Sequence, residues 1–368
     1  MRIEHIELRQ ITMRLVAPFE TSFGVELDEE HIIVRVDGEG LTGWGECVAS
    51  RDPFYSYETN QTAWHILRDY LIPAILSQDL ASVDDASTKW ARVRGHEMAK
   101  AGIESALWDW FAKARGVSLA QLLGGTRDRI AVGVSVGIQA SPAALVARVE
   151  NYLREGYARV KLKIAPGRDL PFVAAVRRAF PNLLLQVDAN SAYTLADLAT
   201  LRALDDFDLL LIEQPLSHDD IFDHHKLQRE LKTPICLDES ILSLADARAA
   251  IELNSCRIIN IKPGRVGGFT ESKRIHDFCA VHGVPVWHGG MLESGIGRAG
   301  NVALAALPNF TLPGDISASK RYYVEDLVEP EFTVDARGTM AVPAQPGIGV
   351  TVIAERLERV TTRREMFA

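Results

Sequence analysis

Residues 159–190 read RVKLKIAPGRDLPFVAAVRRAFPNLLLQVDAN. Two short apolar runs flank a helical segment, and a crossover of that length makes the runs parallel neighbours. The unit recurs on both sides. VGVSVGI (132–138) lies ahead of it; LLLIEQP (209–215), PICLDES (234–240), RIINIKPG (257–264), VPVWHGG (284–290) and NFTLPGD (309–315) lie beyond. With RVKLKI and LLLQVDAN these make eight strand candidates. Between them run helices such as LADLATLRAL (195–204) and LADARAAIEL (244–253), with Thr194 and Ser243 as N-caps. Eight alternating units predict closure into a (β/α) barrel. An open doubly wound sheet would need G-x-G-x-x-G after a strand, and neither GGTRDR nor GRVGG supplies it.

Chemistry in such a barrel gathers at the C-terminal ends of the strands. The second run ends in Lys161 and Lys163, the third in Asp188, the fourth in Glu213, the fifth in Asp238 and the sixth in Lys262. From Lys163 onward the intervals are 25, 25, 25 and 24 residues, one unit each, so all five groups reach one rim. A single acid at a strand end is most simply a cap or a solvated terminus. Three on adjacent strands, about 4.8 Å apart, would repel each other unless a hard cation joins them. Oxygen ligands without His or Cys favour Mg²⁺, with Mn²⁺ as a substitute. Lys262 stands four strands from Lys163, half a turn of an eight-strand ring, so the two amines face each other across the metal. That geometry suits removal of a proton from the carbon next to a carboxylate, with the ion stabilising the enediolate. A lysine base needs its pKa lowered, and Arg265, just beyond Lys262, is placed to contribute.

The rest of the chain is consistent with a soluble enzyme. It has 368 residues, 47% hydrophobic and 24% charged, with 40 Lys and Arg against 49 Asp and Glu for a net charge of −9. That balance argues against nucleic acid or an anionic membrane as partner. Cys47, Cys236, Cys256 and Cys279 form no CxxC pair, so reduced thiols in a cytoplasmic protein are expected. No secretory h-region is read in MRIEHIELRQ, and no apolar run is long enough to span a bilayer. Before the barrel an α+β unit is predicted. Strands cover Ile6 to Leu15 and His31 to Val36, DGEG (37–40) is a turn, and a third strand ends in GWGEC (43–47). VAPFETSFGVE (16–26) and SRDPFYSYETN (50–60) read as loops, and helices follow over Tyr57–Leu76 and His96–Arg115, with LLGG (122–125) as a boundary. After Ser319 the rhythm is lost, and the tail reads as a return across the first unit.

With KxK at 161–163, the three acids and a sixth-strand lysine, the chain resembles the muconate-lactonizing-enzyme subgroup of the enolase superfamily. The mandelate-racemase subgroup uses a His–Asp dyad from the seventh and sixth strands. His288 ends the seventh here, but Asn260 and Lys262 occupy the sixth, so a positioning or solvent-facing role is expected for His288. The blocks APFETSFG, GHEMAKAGIE, KLKIAPG, LLQVDANSAYTL, TPICLDESI, NIKPGRVGG and VPVWHGGMLESGIGRAGN resemble the o-succinylbenzoate synthase/N-succinylamino acid (N-acylamino acid) racemase family. That resemblance implies a modified (β/α)7β barrel over 126–319 and a capping domain over 1–125 completed by 320–368. It implies Lys163 and Lys262 as acid/base residues and Asp188, Glu213 and Asp238 as Mg²⁺ ligands. Phe19, Phe23 and Tyr55 would close over the substrate. Ser135, Gly290 and Met291 would meet its acyl part, with Lys161 and Asn190 also binding it. The implied reaction is dehydration of 2-succinyl-6-hydroxy-2,4-cyclohexadiene-1-carboxylate, a step toward menaquinone, or N-succinylamino acid racemisation, in a homo-oligomer. Muconate cycloisomerisation is a same-site alternative. Dipeptide epimerisation ranks lower, because GDIS (314–317) has Asp315 alone where an Asp-x-Asp would hold an ammonium. A non-catalytic metal-binding scaffold is disfavoured by the presence of both lysines.

Overall fold

The computed structural model describes residues 1–22 and 24–368. The chain opens with an antiparallel meander of β1 (His5–Thr21), β2 (Gly24–Gly38) and β3 (Leu41–Cys47). Ile6 and Leu8 of β1 pack with Trp64, Leu67 and Trp110 from the helices behind the sheet. Ile11, Met13, Leu15 and Phe19 pack instead with barrel residues such as Val134, Val136 and Leu162. Even and odd positions of one strand face opposite sides of the sheet, so β1 feeds both clusters with no break in its alternation. The register shift between Gln10 and Ile11 lies in the partner strand, where Thr362 is left over.

The reading of 16–26 as a loop is corrected here. Phe19, Glu20 and Thr21 pair with Glu26, Val25 and Gly24, so the segment is the arm of a long hairpin. Pairing is interrupted only between Arg14 and Phe19, where Pro18 has no N–H to give. Behind the sheet a helical run from Asn60 to Ile75 and the helix Glu97–Ala114 fall close to the predicted spans.

Seven parallel strands then follow in chain order: β4 (Val134–Val136), β5 (Arg159–Lys163), β6 (Leu184–Asp188), β7 (Ile212–Glu213), β8 (Ile235–Leu237), β9 (Ile258–Ile261) and β10 (Val286–His288). The eighth candidate, 309–315, is not a regular strand, because Pro313 interrupts its donors. It still closes the ring. Phe310 bridges to Val286 on one side and Gly314 to Val132 on the other. Gly133 N donates to Gly314 O at 2.8 Å and Gly314 N to Ala131 O at 3.0 Å. Leu211, Cys236, Ile258 and Trp287 fill the barrel interior. Last, β11 (Thr361–Phe367) pairs antiparallel with β1, whereas Thr339–Ala341 pairs with Arg129–Ala131. The tail therefore contacts both units. Among the described residues no helix is long and apolar enough to cross a membrane.

Buried carboxylates fasten sheet to barrel. Glu104 accepts from Phe269 N at 2.6 Å and Thr270 N at 3.0 Å, capping the helix Phe269–Val281. Glu46 on β3 accepts from Ser294 N (3.0 Å), Ser294 Oγ (2.6 Å) and Gly297 N (2.8 Å), where the helix Gly295–Ala305 begins. Backbone donors at a helix start are orphans that a carboxylate satisfies well.

Candidate active site

Register brings the rim residues together. Ser135 lies opposite Lys161 and Lys161 opposite Gln186. Two residues on, Lys163 is opposite Asp188 and Asp188 opposite Glu213. Because side chains alternate, both rows point into the barrel. Lys163 Nζ donates to Asp188 Oδ2 at 2.7 Å and to Asn190 Oδ1 at 2.6 Å. On the far side Lys262 Nζ donates to Asp238 Oδ2 at 2.8 Å and to Tyr55 Oη at 2.9 Å. Between them Lys161 Nζ lies 3.0 Å from Asp188 Oδ2, 2.9 Å from Glu213 Oε2 and 3.0 Å from Asp315 Oδ2. Asn260 Nδ2 donates to Glu213 Oε1 at 2.6 Å. Gly289 makes room for this packing: a Cβ there would sit 2.3 Å from Asn260 Oδ1 and 2.6 Å from Lys262 Cε.

Asp188, Glu213 and Asp238 are fully buried. Burial pushes Asp188 up, but Lys163 and Lys161 more than offset that and hold it below the usual carboxylate range. Glu213 is pushed up by burial and by the charge of Asp188. As arranged, each acid leans on a cation, and among the described residues no group of three or more His, Cys, Asp or Glu is set to hold a metal ion. The donor set still fits a hard divalent ion. It is all oxygen, it comes from successive strands, and two more buried oxygens near it, Glu239 Oε2 and Asn260 Oδ1, meet no donor among the described residues.

One cleft above this floor is lined by Phe19, Tyr55, Ser135, Lys161, Lys163, Asn190, Lys262, Gly290 and Met291, all anticipated from sequence. Phe23 lies outside the described residues. Arg265 is buried, with its guanidinium on Asp238, on Ile241 O (2.8 Å) and on Asn260 O (2.5 Å). The expected lowering of Lys262 is not found in this arrangement. Burial lowers it, but Tyr55, Glu239 and Glu213 outweigh burial, and the amine lies above the ordinary lysine value. His288 is neither solvent-facing nor at the mouth. It is fully buried beside Phe310, and burial pushes it down to about 3. Its neighbour across the sheet is Ile261, one residue out of phase with inward-pointing Asn260 and Lys262, so the imidazole faces away from the barrel interior.

Sequence reasoning gave no role to several residues that line or border the cleft. Asp315 accepts from Ser135 Oγ at 2.6 Å, and Asn190 Nδ2 donates to Glu239 Oε1 at 2.9 Å. Glu26 and Glu29 line the cleft as well. Glu239 follows Asp238 in PICLDES and could have been marked; the hairpin acids carry no such signal.

Residues 4–124 match the mandelate racemase/muconate lactonizing enzyme N-terminal domain family, and residues 144–356 match the enolase C-terminal domain-like family. The chain belongs to the mandelate racemase/muconate lactonizing enzyme family of the enolase superfamily. Members of this family are generally dependent on a divalent metal. Among its relatives, an o-succinylbenzoate synthase from Geobacillus kaustophilus is 52% identical over 368 residues, covering 100% of this chain and 98% of the relative. An N-succinylamino acid racemase from Amycolatopsis sp. is 51% identical over 365 residues, covering 99% of each. A solved enolase-superfamily member from Listeria innocua superposes with a TM-score of 0.96 at 43% identity, covering 100% of this chain and 99% of the other.

Proposed function

We propose that this enzyme abstracts a proton from the carbon next to a carboxylate through an enediolate, acting as an o-succinylbenzoate synthase, an N-succinylamino acid racemase, or both. The observation that carries the reading is the placement of Lys163 and Lys262. Each lies against a different one of three buried acids, Asp188 and Asp238, with Glu213 on the strand between. Relatives of both names at about half identity over the full length support it. A B. subtilis L-Ala-D/L-Glu epimerase is only 29% identical, which agrees with the lower rank given to dipeptides.

Asp188, Glu213 and Asp238 would hold Mg²⁺, or Mn²⁺ in its place, and the bound ion would supply Lewis-acid charge for the enediolate oxygens. Lys163 takes the α-proton. In the dehydration it returns that proton to the departing hydroxide, so water leaves, the ring becomes aromatic and Lys262 serves as a nearby cation. In racemisation the two lysines act on opposite faces, one taking and one giving a proton. Phe19 and Tyr55 cover the reacting carbon and exclude water; Asn190 holds Lys163 at its hydrogen-bond distance; Ser135, Lys161, Gly290 and Met291 receive the acyl part. Arg265 acts on Lys262 through Asp238. The same reading takes 1–125 with 320–368 as the capping domain, 126–319 as the catalytic barrel, and the protein as a cytoplasmic homo-oligomer.

The test is proton exchange in D₂O with Mg²⁺ present. Lys163→Ala should abolish both dehydration and racemisation, and Lys262→Ala should stop exchange of one enantiomer of an N-succinylamino acid while dehydration suffers less. Dehydration at near wild-type rate in Lys163→Ala would refute the base assignment, and normal exchange of both enantiomers in Lys262→Ala would refute the two-base arrangement.

A further inference from the structure

The cleft is charged unevenly along its length. Lys161, Lys163 and Lys262 stand at the floor, whereas Glu26 and Glu29 line the wall formed by the hairpin. Glu29 is only 7% exposed, and its Oε1 meets no donor among the described residues. The nearest cationic candidate is His31, but its Nδ1 is held by Glu46 at 2.6 Å and its Nε2 stands 3.7 Å from Glu29 Oε2. Other charged neighbours make matters worse, since Glu26, Glu293 and Asp28 all add negative potential. Burial, and after it Glu29 and Glu46, push up the Tyr323 phenol. A buried carboxyl with an open oxygen is costly unless something pairs with it.

We propose that Glu29 is a specificity residue, whose open oxygen receives the side-chain ammonium or guanidinium of an N-acylated basic amino acid bound with its α-carboxylate at the lysine floor. This rests on reading the site as one for N-acylamino acids. A ligand carrying an anion at one end and a cation at the other matches both ends of the cleft. Neutral or anionic tails leave Glu29 unpaired. Burial, then Glu26 and Glu293 against His31, push Glu29 up to about 8, so cation binding expels a proton. Preference for the cationic substrate therefore grows as pH rises from about 6.5 to 8.5.

The test compares N-succinyl-L-lysine with N-succinyl-L-norleucine, which lacks only the ammonium, on the Mg²⁺-loaded enzyme. The wild type should favour the lysine derivative by about ten-fold or more in kcat/KM, the range of one charge-assisted hydrogen bond. Glu29→Gln should erase that preference, chiefly by raising KM for the lysine derivative toward that for the norleucine derivative. No preference in the wild type, or an undiminished one in Glu29→Gln, overturns the proposal. Calorimetry separates the two readings. Selective binding without deuterium exchange supports Glu29 and sinks the proposed reaction, exchange without selectivity does the reverse, and failure to bind either ligand overturns both.

Discussion

Glu29 also leaves a mark on stability, because its carboxyl moves from an ordinary 4.5 up to about 8 on folding, mainly through burial. Below pH 4.5 both folded and unfolded chains hold the proton. Between 4.5 and 8 only the folded chain holds it, so the stability this group contributes is lost as pH rises and is gone above 8. Glu29→Gln cannot lose a proton. The melting temperature of the variant should therefore gain on the wild type from pH 5 to 8 and then level off; a gap that does not change with pH would contradict the assignment. The residues proposed to bear the chemistry could be placed on one rim from spacing alone, because one βα unit fixes the interval between Lys163, Asp188, Glu213 and Asp238. Glu29 could not. In the run Asp28, Glu29 and Glu30 only strand alternation distinguishes a buried acid from two partly exposed ones, and pairing decides the phase.

At the scale of elements, the arm 16–26 was the misread piece. Pro18, Ser22 and Gly24 carry loop signals, while the pairing that makes it a hairpin comes from residues on the opposite strand. Its position is set by the barrel. Ile138 N donates to Glu20 O at 2.9 Å, Ser22 Oγ donates to Asn190 O at 3.1 Å, and Gly137 has no Cβ where one would stand 2.8 Å from Glu20 O. Gly137→Val should lift the arm, raise KM by about ten-fold with a smaller effect on kcat, and speed hydrogen exchange at the Ile138 amide. Unchanged exchange at that amide would show that the arm is held elsewhere. The eighth stave teaches the complementary lesson. NFTLPGD was identified as a barrel element although Pro313 denies it a regular ladder, because the count of units required something to close the ring.

For the whole molecule, the two sheets have separate hydrophobic clusters, and β1 contributes to both. Contacts between the units are not visible in the sequence. Glu104 looks like any acid on an amphipathic helix, yet it is buried against Phe269 and Thr270. Glu104→Gln should cost about 1–2 kcal/mol, since one of its two backbone donors loses a carboxylate acceptor. Denaturant unfolding should then show a lower midpoint at unchanged slope in a single transition. Two separate transitions would mean that the units unfold independently. Glu46 has a further consequence. A cover riveted to the drum at Glu46 and Glu104 parts from it only by giving up the hydrogen bonds of both acids at once. On the function proposed above, entry to the cleft would then fall to the smaller pieces at its rim, the 16–26 arm and the loop bearing Tyr55, and what they carry on their inner faces would decide which molecules pass the threshold.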